Sequence, residues 1–390
     1  MKRIVYVFDN INYQSGAQKA AFYQMQCLSE KYDIYAMSLS KPSEDLEIPA
    51  TIMRQETLWE KADAYAKSFK EVLISNKGFS EKAGRISYAI SMRLGIGERF
   101  LAFFLYKKLI EELEKFDVVV VVSEASKLRN LVGSLVNPRK IQWIHTDYER
   151  WSQYSEWTRA VTKNDSCLYK KYDCIVVLSE SCRQGMIRRI PLLSEKIVVI
   201  PNMVNIADIQ RKSLDETEVF ITNKEYNFVT VGRLDKEKNF GRILDICKCL
   251  SADKIDYTWY VIGDGPLKEF IEKQIKKLDL QENIILLGHL ENPYPVMKQC
   301  DIFVLLSDYE GTPVTIDEAV VLDLSIISMP VGGIPEQLSR YGCGRLLEGK
   351  SDLYTTFKQI IDKRSEKKAE SIDLINDMIF KKLTQMIEGL

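Results

Sequence analysis

Short runs of apolar residues alternate along the chain with longer segments in which apolar residues recur every three or four positions. In the first half, the apolar runs predict strands at residues 4–8, 33–39, 118–122, 141–145, 174–179 and 196–202. Helical periodicity predicts a helix over about 17–31 and a long helical region from about 58 to 115. Short Val- and Ile-rich strands separated by helices are typical of parallel sheets that are covered on both faces.

The second half repeats this alternation. Its strands are predicted at 228–232, 259–263, 283–288, 301–306 and 325–329, and a further helix is predicted after about residue 365. A chain of 390 residues also exceeds the usual size of a single hydrophobic core. We therefore predict an α/β protein with two Rossmann-like domains that face each other across a cleft. The first is assigned to residues 1–200 and the second to residues 201–370.

Composition and charge narrow the class of protein. Hydrophobic residues make up 46% and charged residues 28% of the chain, which is ordinary for a soluble globular protein. The net charge of −1 gives no sign of nucleic-acid binding. Eight cysteines without a C-x-x-C pair or a zinc-type spacing indicate a reducing compartment. With no signal peptide and no apolar run of membrane-spanning length, we expect a cytoplasmic protein that is at most peripheral to a membrane.

The run SDYEGTPVTIDEAVVL carries the strongest candidate chemistry. It follows the buried strand predicted at 302–306, places Glu310 in a short loop, and begins a helix near Val314 that holds Glu318. Ligands of open α/β sheets bind at the carboxyl ends of the strands, and a helix N-terminus favours anionic groups. Neither carboxylate is expected to be needed for packing, so both can accept hydrogen bonds from a polyol. The alternative is a pair of solvated carboxylates that flank a helix start.

A second cluster, VGRLDKEKNF, follows the strand predicted at 228–232. Arg233 and Lys238 project from the loop that leads into the next helix, and two cations at a strand end can neutralise a diphosphate. A solvated basic loop is the alternative, because Lys236 is equally basic. The Gly-rich turn GDGP at 263–266 either approaches a ligand or forms a tight turn without one.

Three further residues are candidates because they follow predicted strands. Gly16 lies between the first strand and the first helix, where backbone N–H groups can approach a phosphate or simply form a turn. The chain has two histidines, His145 and His289, and each stands at a strand end. A single histidine is more often structural than catalytic. We favour a functional role for His145 and leave the role of His289 open.

Taken together, these motifs resemble the family 4 retaining glycosyltransferases of the GT-B fold, and the resemblance spans nearly the whole chain. It rests on the order and spacing of SGAQKA, WIHTDY, CIVVLSES, IPNMVN, VGRLDKEKN, VIGDGPL, LLGHLENPYPVMKQCDIFVLLSDYEGTPVTIDEA and VGGIPE. The stretch ENPYPVMKQCD is similar to bacterial members that build surface polysaccharides. The resemblance implies a GT-B fold in which the C-terminal helix, residues 371–390, returns to pack on the first domain.

The resemblance also implies roles for individual residues. The donor sugar would be contacted by the catalytic candidates His145 and Glu310 and by the loop residues Gly311, Thr312, Pro313 and Val314. The nucleotide would be held at its ribose by Glu318, at its diphosphate by Arg233, Lys238 and Gly16, and at its base by His289 and Leu290. Asp323 stands where members often have Gly, which leaves a local turn in question. Thr312 replaces a bulkier residue, which bears on the choice of donor sugar.

The implied reaction is transfer of a sugar, with retention of configuration, from a nucleotide diphosphate sugar, expected to be a UDP-sugar, to a glycan acceptor that is expected to be lipid-linked. We expect no metal and no other cofactor, because no Asp-x-Asp stands at a strand end and because Arg233, Lys238 and helix N-termini can stabilise the leaving diphosphate. Two alternatives use the same fold. One is a nucleotide-sugar 2-epimerase, and the other is a non-catalytic sugar-nucleotide-binding partner.

Residues 83–108 suggest a further partner. This segment mixes basic residues with Tyr and Phe, a combination that suits an anionic membrane surface when it lies on one amphipathic stretch. The alternative is an ordinary helix whose apolar face is buried and whose charges are solvated. Periodicity alone does not choose between the two.

Overall fold

The computed structural model describes residues 1–12, 15–43, 46, 48, 50–52, 107–348, 352–362 and 372–389. The chain divides into two compact units. The first unit comprises Met1–His145, Ser152–Val177 and Ile190–Val198, and the second comprises Thr146–Trp151, Leu178–Arg189 and Val199–Leu390. The predicted domain limits at 200 and 370, and the return of the last helix to the first domain, stay predictions.

The first unit is built on a sheet whose strands lie in the order β3-β2-β1-β4-β5-β6-β7. The strands are β1 Arg3–Phe8, β2 Asp33–Ser38, β3 Thr51–Ile52, β4 Val118–Val121, β5 Arg139–Trp143, β6 Cys174–Val177 and β7 Ile197–Val199. The registers between β1 and its neighbours β2 and β4 are parallel. Because β1 and β4 are buried on both faces, their sequences are continuous apolar runs rather than alternating ones.

The sheet of the second unit has the order β10-β9-β8-β11-β12-β13. Its strands are β8 Tyr226–Val231, β9 Tyr257–Ile262, β10 Ile284–Gly288, β11 Ile302–Leu305, β12 Ser325–Ser328 and β13 Arg345–Leu346. One side of this sheet packs through Phe228, Trp259 and Phe357, whose rings contact one another within 4.9–5.9 Å between centroids. β8 and β11 are neighbours, so the loops that follow them emerge at the same edge of the sheet.

Helices connect these strands throughout the described residues. They are α1 Gly16–Leu28, α2 Lys107–Leu113, α3 Arg129–Gly133, α4 Tyr148–Trp151, α5 Glu156–Thr162, α6 Asp165–Leu168, α7 Glu180–Arg189, α8 Ile206–Lys212, α9 Phe240–Ala252, α10 Lys268–Lys277, α11 Tyr294–Gln299, α12 Val314–Val321, α13 Ile334–Tyr341, α14 Leu353–Asp362 and α15 Ile372–Glu388. Short 3-10 turns occupy Tyr169–Lys171 and Pro191–Leu193.

The predicted parallel α/β architecture is confirmed. Each predicted strand is present, with its ends shifted by a few residues, and α12 begins at Val314 as predicted. The short edge strands β3 and β13 were not predicted, because two residues carry no detectable periodicity. Most of the helical region predicted over 58–115, and nearly all of the segment 83–108 with its membrane prediction, lies outside the described residues.

Candidate active site

The loops that follow β8 and β11 bring a lysine and a glutamate together. Lys238 Nζ lies 2.5 Å from Glu310 Oε1, and the two side chains are only 15% and 11% exposed. The Ser307 hydroxyl donates a hydrogen bond of 2.7 Å to the same carboxylate oxygen. Burial acts to lower the pKa of Lys238, but the attraction and hydrogen bond to Glu310, together with the charges of Glu237 and Asp235, outweigh it. The pKa is therefore raised and the ammonium stays charged.

The other basic residues of this loop are placed differently. Arg233 is 63% exposed, and its guanidinium lies 3.9 Å from the Asp235 carboxylate. Lys236 is exposed as well. The structure therefore separates Lys238, which is enclosed against Glu310, from Lys236, although the sequence alone did not distinguish the two.

Glycines allow the loop that carries Glu310 to lie directly against a neighbouring turn. Gly332 has a φ of +54°, and a Cβ at this position would lie 1.7 Å from the carbonyl oxygen of Glu310. The N–H of Gly333 donates a hydrogen bond of 2.8 Å to the carbonyl of Gly311. A side chain at either glycine would push the Glu310 loop out of place, so the VGGIPE motif acts on the site through its backbone.

Helix α12 begins beside Glu310, and Pro313 is its N-cap residue. No side chain caps this end, and the Gln337 amide instead donates to the Pro313 carbonyl at 3.1 Å. Thr312 is 4% exposed. Val314 is the first residue of α12, and its backbone N–H lies where the start of a helix attracts negative charge; Pro313 has no N–H, and Gly311 and Thr312 precede the cap.

Glu318 is buried, although it was predicted to be free of a packing role. The expectation that packing does not need this carboxylate is wrong, because Glu318 is 2% exposed and Oε1 accepts a hydrogen bond of 2.8 Å from the Tyr294 hydroxyl. An enclosed carboxylate is costly unless a hydrogen-bond donor is buried with it, and the Tyr294 hydroxyl is that donor. Tyr294, in the stretch ENPYPVMKQCD, is a site residue that the motif reasoning missed.

Asp317, the neighbour of Glu318, is a second buried carboxyl group. Its Oδ1 accepts hydrogen bonds from Gln337 Nε2 at 2.6 Å and from the Tyr341 hydroxyl at 2.8 Å. Burial raises the pKa of Asp317 to about 7, although these two hydrogen bonds act to lower it. Asp317 thus ties α12 to α13 beside the candidate site.

The GDGP turn has a structural reason for its glycines. Gly263 has a φ of +143°, and a Cβ there would lie 1.9 Å from the Gly232 carbonyl oxygen. A Cβ at Gly265 would lie 2.5 Å from the carbonyl oxygen of Leu234. These glycines let the turn pack against the loop that carries Arg233 and Lys238. The observation favours the tight-turn interpretation and leaves ligand contact as a prediction.

For His289, Leu290 and Asp323 the structure shows solvent exposure or backbone conformation, and it does not test their predicted roles. His289 is exposed and Leu290 is half-buried, directly after β10. Asp323, which stands where the family often has Gly, has a φ of +60°, so an aspartate takes up the left-handed turn. The structure assigns no ligand to these residues, and their roles stay predictions.

Gly16 and His145 belong to the first unit. Gly16 is the first residue of α1, whose N-cap Ser15 forms a capping box with Gln18. The backbone N–H of His145 lies 3.3 Å from Glu124 Oε2, and its ring stacks near Trp143 with 6.3 Å between centroids. Loss of water contact lowers the pKa of His145 to about 4, so the imidazole is neutral at pH 7.

Within the described ranges, no three His, Cys, Asp or Glu side chains are grouped so that they could hold a metal ion. Metal independence nevertheless stays a prediction. Among the described helices, none combines the length and the apolar character needed to cross a bilayer.

The two parallel α/β sheets, one of which carries a lysine and carboxylates at its strand ends, are the part of the molecule to compare with known proteins. Two family models match the chain: Glycosyltransferase Family 4 over residues 71–208, and Glycosyl transferases group 1 over residues 212–373. Both models describe glycosyltransferases, so the chain is a glycosyltransferase. The predicted enzyme class and the predicted likeness to family 4 are confirmed.

Curated relatives and solved structures agree. The chain is 27% identical to the Escherichia coli O-antigen biosynthesis glycosyltransferase WbnH over 258 residues. The matched region covers 65% of this chain and 69% of WbnH. It is 28% identical over 162 residues, 42% of each chain, to a Campylobacter jejuni enzyme named N-acetylgalactosamine-N,N'-diacetylbacillosaminyl-diphospho-undecaprenol 4-alpha-N-acetylgalactosaminyltransferase. The match spans about half the length, or less, of several curated relatives.

Among solved structures, Anabaena Alr3699/HepE in complex with UDP and glucose is similar over 100% of both chains, with a TM-score of 0.68 and 14% sequence identity. At this identity the likeness shows the fold alone. The predicted GT-B fold is confirmed.

Proposed function

We propose that the protein is a retaining glycosyltransferase that moves a sugar from a UDP-sugar to a lipid-linked glycan acceptor in bacterial surface polysaccharide biosynthesis. The observation that carries the proposal is the enclosed pair of Lys238 and Glu310 at neighbouring strand ends, beside the N-terminus of α12. A charged ammonium next to a carboxylate offers one group for a diphosphate and one for sugar hydroxyls, at the edge where α/β sheets bind ligands.

The diphosphate is the leaving group, so its developing charge needs stabilisation in the transition state. Lys238 remains protonated because its pKa is raised. Arg233 is exposed and meets Asp235 only at long range, so its guanidinium can turn towards a phosphate. In this proposal these cations, with the backbone of Gly16, replace the divalent metal that other transferases use.

The sugar and the nucleoside are assigned to the remaining candidates. Glu310 accepts hydrogen bonds from donor-sugar hydroxyls, with the backbone N–H groups of Gly311, Thr312 and Val314 beside it and the Pro313 ring between them. Glu318 receives the ribose hydroxyls, and its burial against Tyr294 fixes the carboxylate in one orientation. His145, which is neutral at pH 7, contacts the donor sugar, and the backbone at His289 and Leu290 contacts the base. The acceptor then attacks from the face that the diphosphate leaves.

The relatives support the donor and acceptor classes. Anabaena Alr3699/HepE was solved with UDP and glucose, and the Campylobacter jejuni relative is named for transfer to a diphospho-undecaprenol-linked sugar. WbnH is named as an O-antigen biosynthesis enzyme. A bacterial polyprenyl-linked glycan acceptor for the present chain is our proposal from these names.

The test uses the full chain with a panel of UDP- and GDP-sugars, each with and without an undecaprenyl-diphosphate-linked sugar. We expect release of UDP that depends on the acceptor, and NMR of the product should show the anomeric configuration of the donor. Glu310→Gln is the matched inactive control. An epimerised donor without acceptor would indicate the 2-epimerase, and binding of UDP-sugars without any turnover would indicate a non-catalytic partner.

Attachment to an anionic membrane through residues 83–108, and a cytoplasmic location, stay predictions. Flotation with liposomes that contain graded amounts of anionic lipid tests the first. Protein that stays unbound at low salt would contradict it.

A further inference from the structure

Asp308 joins the two loops of the candidate site through contacts that the proposed function does not use. Its carboxylate oxygen Oδ1 lies 2.9 Å from Arg242 NH2 and 3.0 Å from Asn239 Nδ2. Its backbone N–H donates to the Glu237 carbonyl at 2.8 Å, and its own carbonyl accepts from Arg150 NH1 at 2.5 Å. Asp308, in the Glu310 loop, is therefore bonded through its backbone N–H and its side chain to the loop that carries Lys238.

Arg242 extends this network to the end of strand β11. Besides Asp308, its guanidinium donates to the carbonyl of Leu306 at 2.8 Å and to that of Ser307 at 3.2 Å. It thus contacts three consecutive residues, which come immediately before Tyr309 and Glu310. A planar guanidinium with several fixed donors suits such a set of acceptors, whereas a lysine ammonium would be a single compact charge.

Asn239 makes its part of the connection from a left-handed backbone conformation, which asparagine adopts more readily than most residues. It has left-handed dihedral angles, φ 45° and ψ 57°, at the N-cap of α9, and its side chain makes no capping hydrogen bond there. Instead its amide reaches across to Asp308. Non-glycine residues in this conformation are uncommon and persist where surrounding contacts enforce them, often at functional sites.

We propose that Arg242, acting through Asp308, is a positioning residue for glycosyl transfer. It fixes the loop residues 306–310 against the loop 233–239, so that Ser307, Glu310 and Lys238 keep one arrangement. Both loops are irregular, so these side-chain hydrogen bonds and the backbone bond from Asp308 to Glu237, rather than strand pairing, set their separation. Small displacements of a positioned group cost a large part of catalysis. This inference rests on the proposed function.

The arrangement also separates positioning from stability. Arg242 and Asp308 are 28% and 47% exposed, and ion pairs with this much solvent contact contribute little to the free energy of unfolding. A large loss of turnover in a folded Arg242 variant would therefore report on the geometry of the site. Lys358, whose ammonium pairs with Asp253 at the other end of α9, provides the control, because that pair is similarly exposed.

The experiment compares wild type, Arg242→Met, Arg242→Lys and Lys358→Met in the full chain. We expect Arg242→Met to lower kcat by roughly tenfold to a hundredfold, with KM for the UDP-sugar changed about threefold or less, and Arg242→Lys to recover only part of the loss. Hydrogen exchange of the peptide that contains the Asp308 amide should be faster in Arg242→Met. Lys358→Met should match wild type in both measurements.

Each outcome is informative. Unchanged kcat in Arg242→Met, with wild-type turnover present, overturns the positioning role and leaves the proposed function standing. Faster exchange without any loss of kcat shows a purely structural residue and also overturns it. Absence of turnover in wild type with every donor removes the proposed function itself, and unchanged exchange in Arg242→Met would then remove the loop connection as well.

Discussion

The ion pair between Lys238 and Glu310 yields a prediction about stability as well as activity. Both residues were expected in loops that follow strands, and the Glu310 carboxylate was not expected to be needed for packing. The structure contradicts this, because the side chains are 15% and 11% exposed. Removing one partner leaves the other charge enclosed without compensation, which costs about 3–5 kcal/mol for a fully buried pair.

For Lys238→Met we expect a loss of about 3 kcal/mol, at the lower end of that range, since some solvent contact remains and Ser307 still donates to Glu310. This corresponds to a change of about a hundredfold in the equilibrium constant for the unfolding of the second unit that exposes its amides to exchange. The double variant Lys238→Met/Glu310→Gln removes both charges and keeps the Ser307 hydrogen bond. It should lie within about 1 kcal/mol of wild type and yet show no transfer.

Hydrogen exchange of the intact chain is the suitable assay, because two compact units need not unfold in one step. Peptides from β8 and β11 report the free energy of opening of the second unit alone. Lys236→Met, an exposed change in the same loop, is the control and should stay within about 0.5 kcal/mol. If Lys238→Met destabilises no more than Lys236→Met, or if the double variant is not more stable than the single one, the reasoning about the pair is refuted.

Three further predictions concern Asp317, Gly332 and the metal. The folded-state pKa of Asp317, about 7, lies above its unfolded value of about 3.9, so the stabilisation from its bound proton is present below about pH 4 and is lost as pH rises towards 7. The free energy of unfolding should therefore fall with pH by at most about 1.4 kcal/mol per pH unit between these two values. Asp317→Asn still accepts both hydrogen bonds and should flatten this pH dependence. An unchanged pH dependence in denaturation experiments would contradict the assignment. Gly332→Ala should lower the rate of transfer at least about tenfold and should destabilise the protein more than Gly288→Ala. Gly288 is the control because it also has a positive φ but has open space around it. Equal destabilisation by the two substitutions would rule out the clash with the Glu310 carbonyl. Activity should survive EDTA, and complete loss that Mg²⁺ restores would indicate a different design.

The sequence predicted those features that depend on local pattern. β1, β4, β8 and β11 are short, mainly apolar segments of strand length, and such segments predict buried strands. The start of α12 at Val314 follows a proline, a residue that is common at helix starts. The proximity of Lys238 to Glu310 was predictable in outline, because both follow strands of one parallel sheet.

Features that depend on tertiary contact were not predictable. The burial of Glu318 against Tyr294 joins residues 24 positions apart, and nothing in either local sequence marks the pair. The Arg242–Asp308 contact is similar, since an arginine in the first turn of a helix looks like any solvated charge. The distinction between Lys236 and Lys238 also required the fold, because it depends on which side of the loop faces Glu310.

The interleaving of the chain between its units has a consequence for how this enzyme can be divided or recombined. Two stretches from the first half, Thr146–Trp151 and Leu178–Arg189, belong to the second unit. The Glu336 carboxylate accepts hydrogen bonds from the N–H groups of Glu180 and Ser181, at 2.7 and 2.6 Å. A fragment that starts at Val199 would lose these partners, together with the arginine that supports the Asp308 carbonyl. The second unit is therefore not encoded by one continuous segment. Exchanging it between relatives would require both upstream stretches to be exchanged with it.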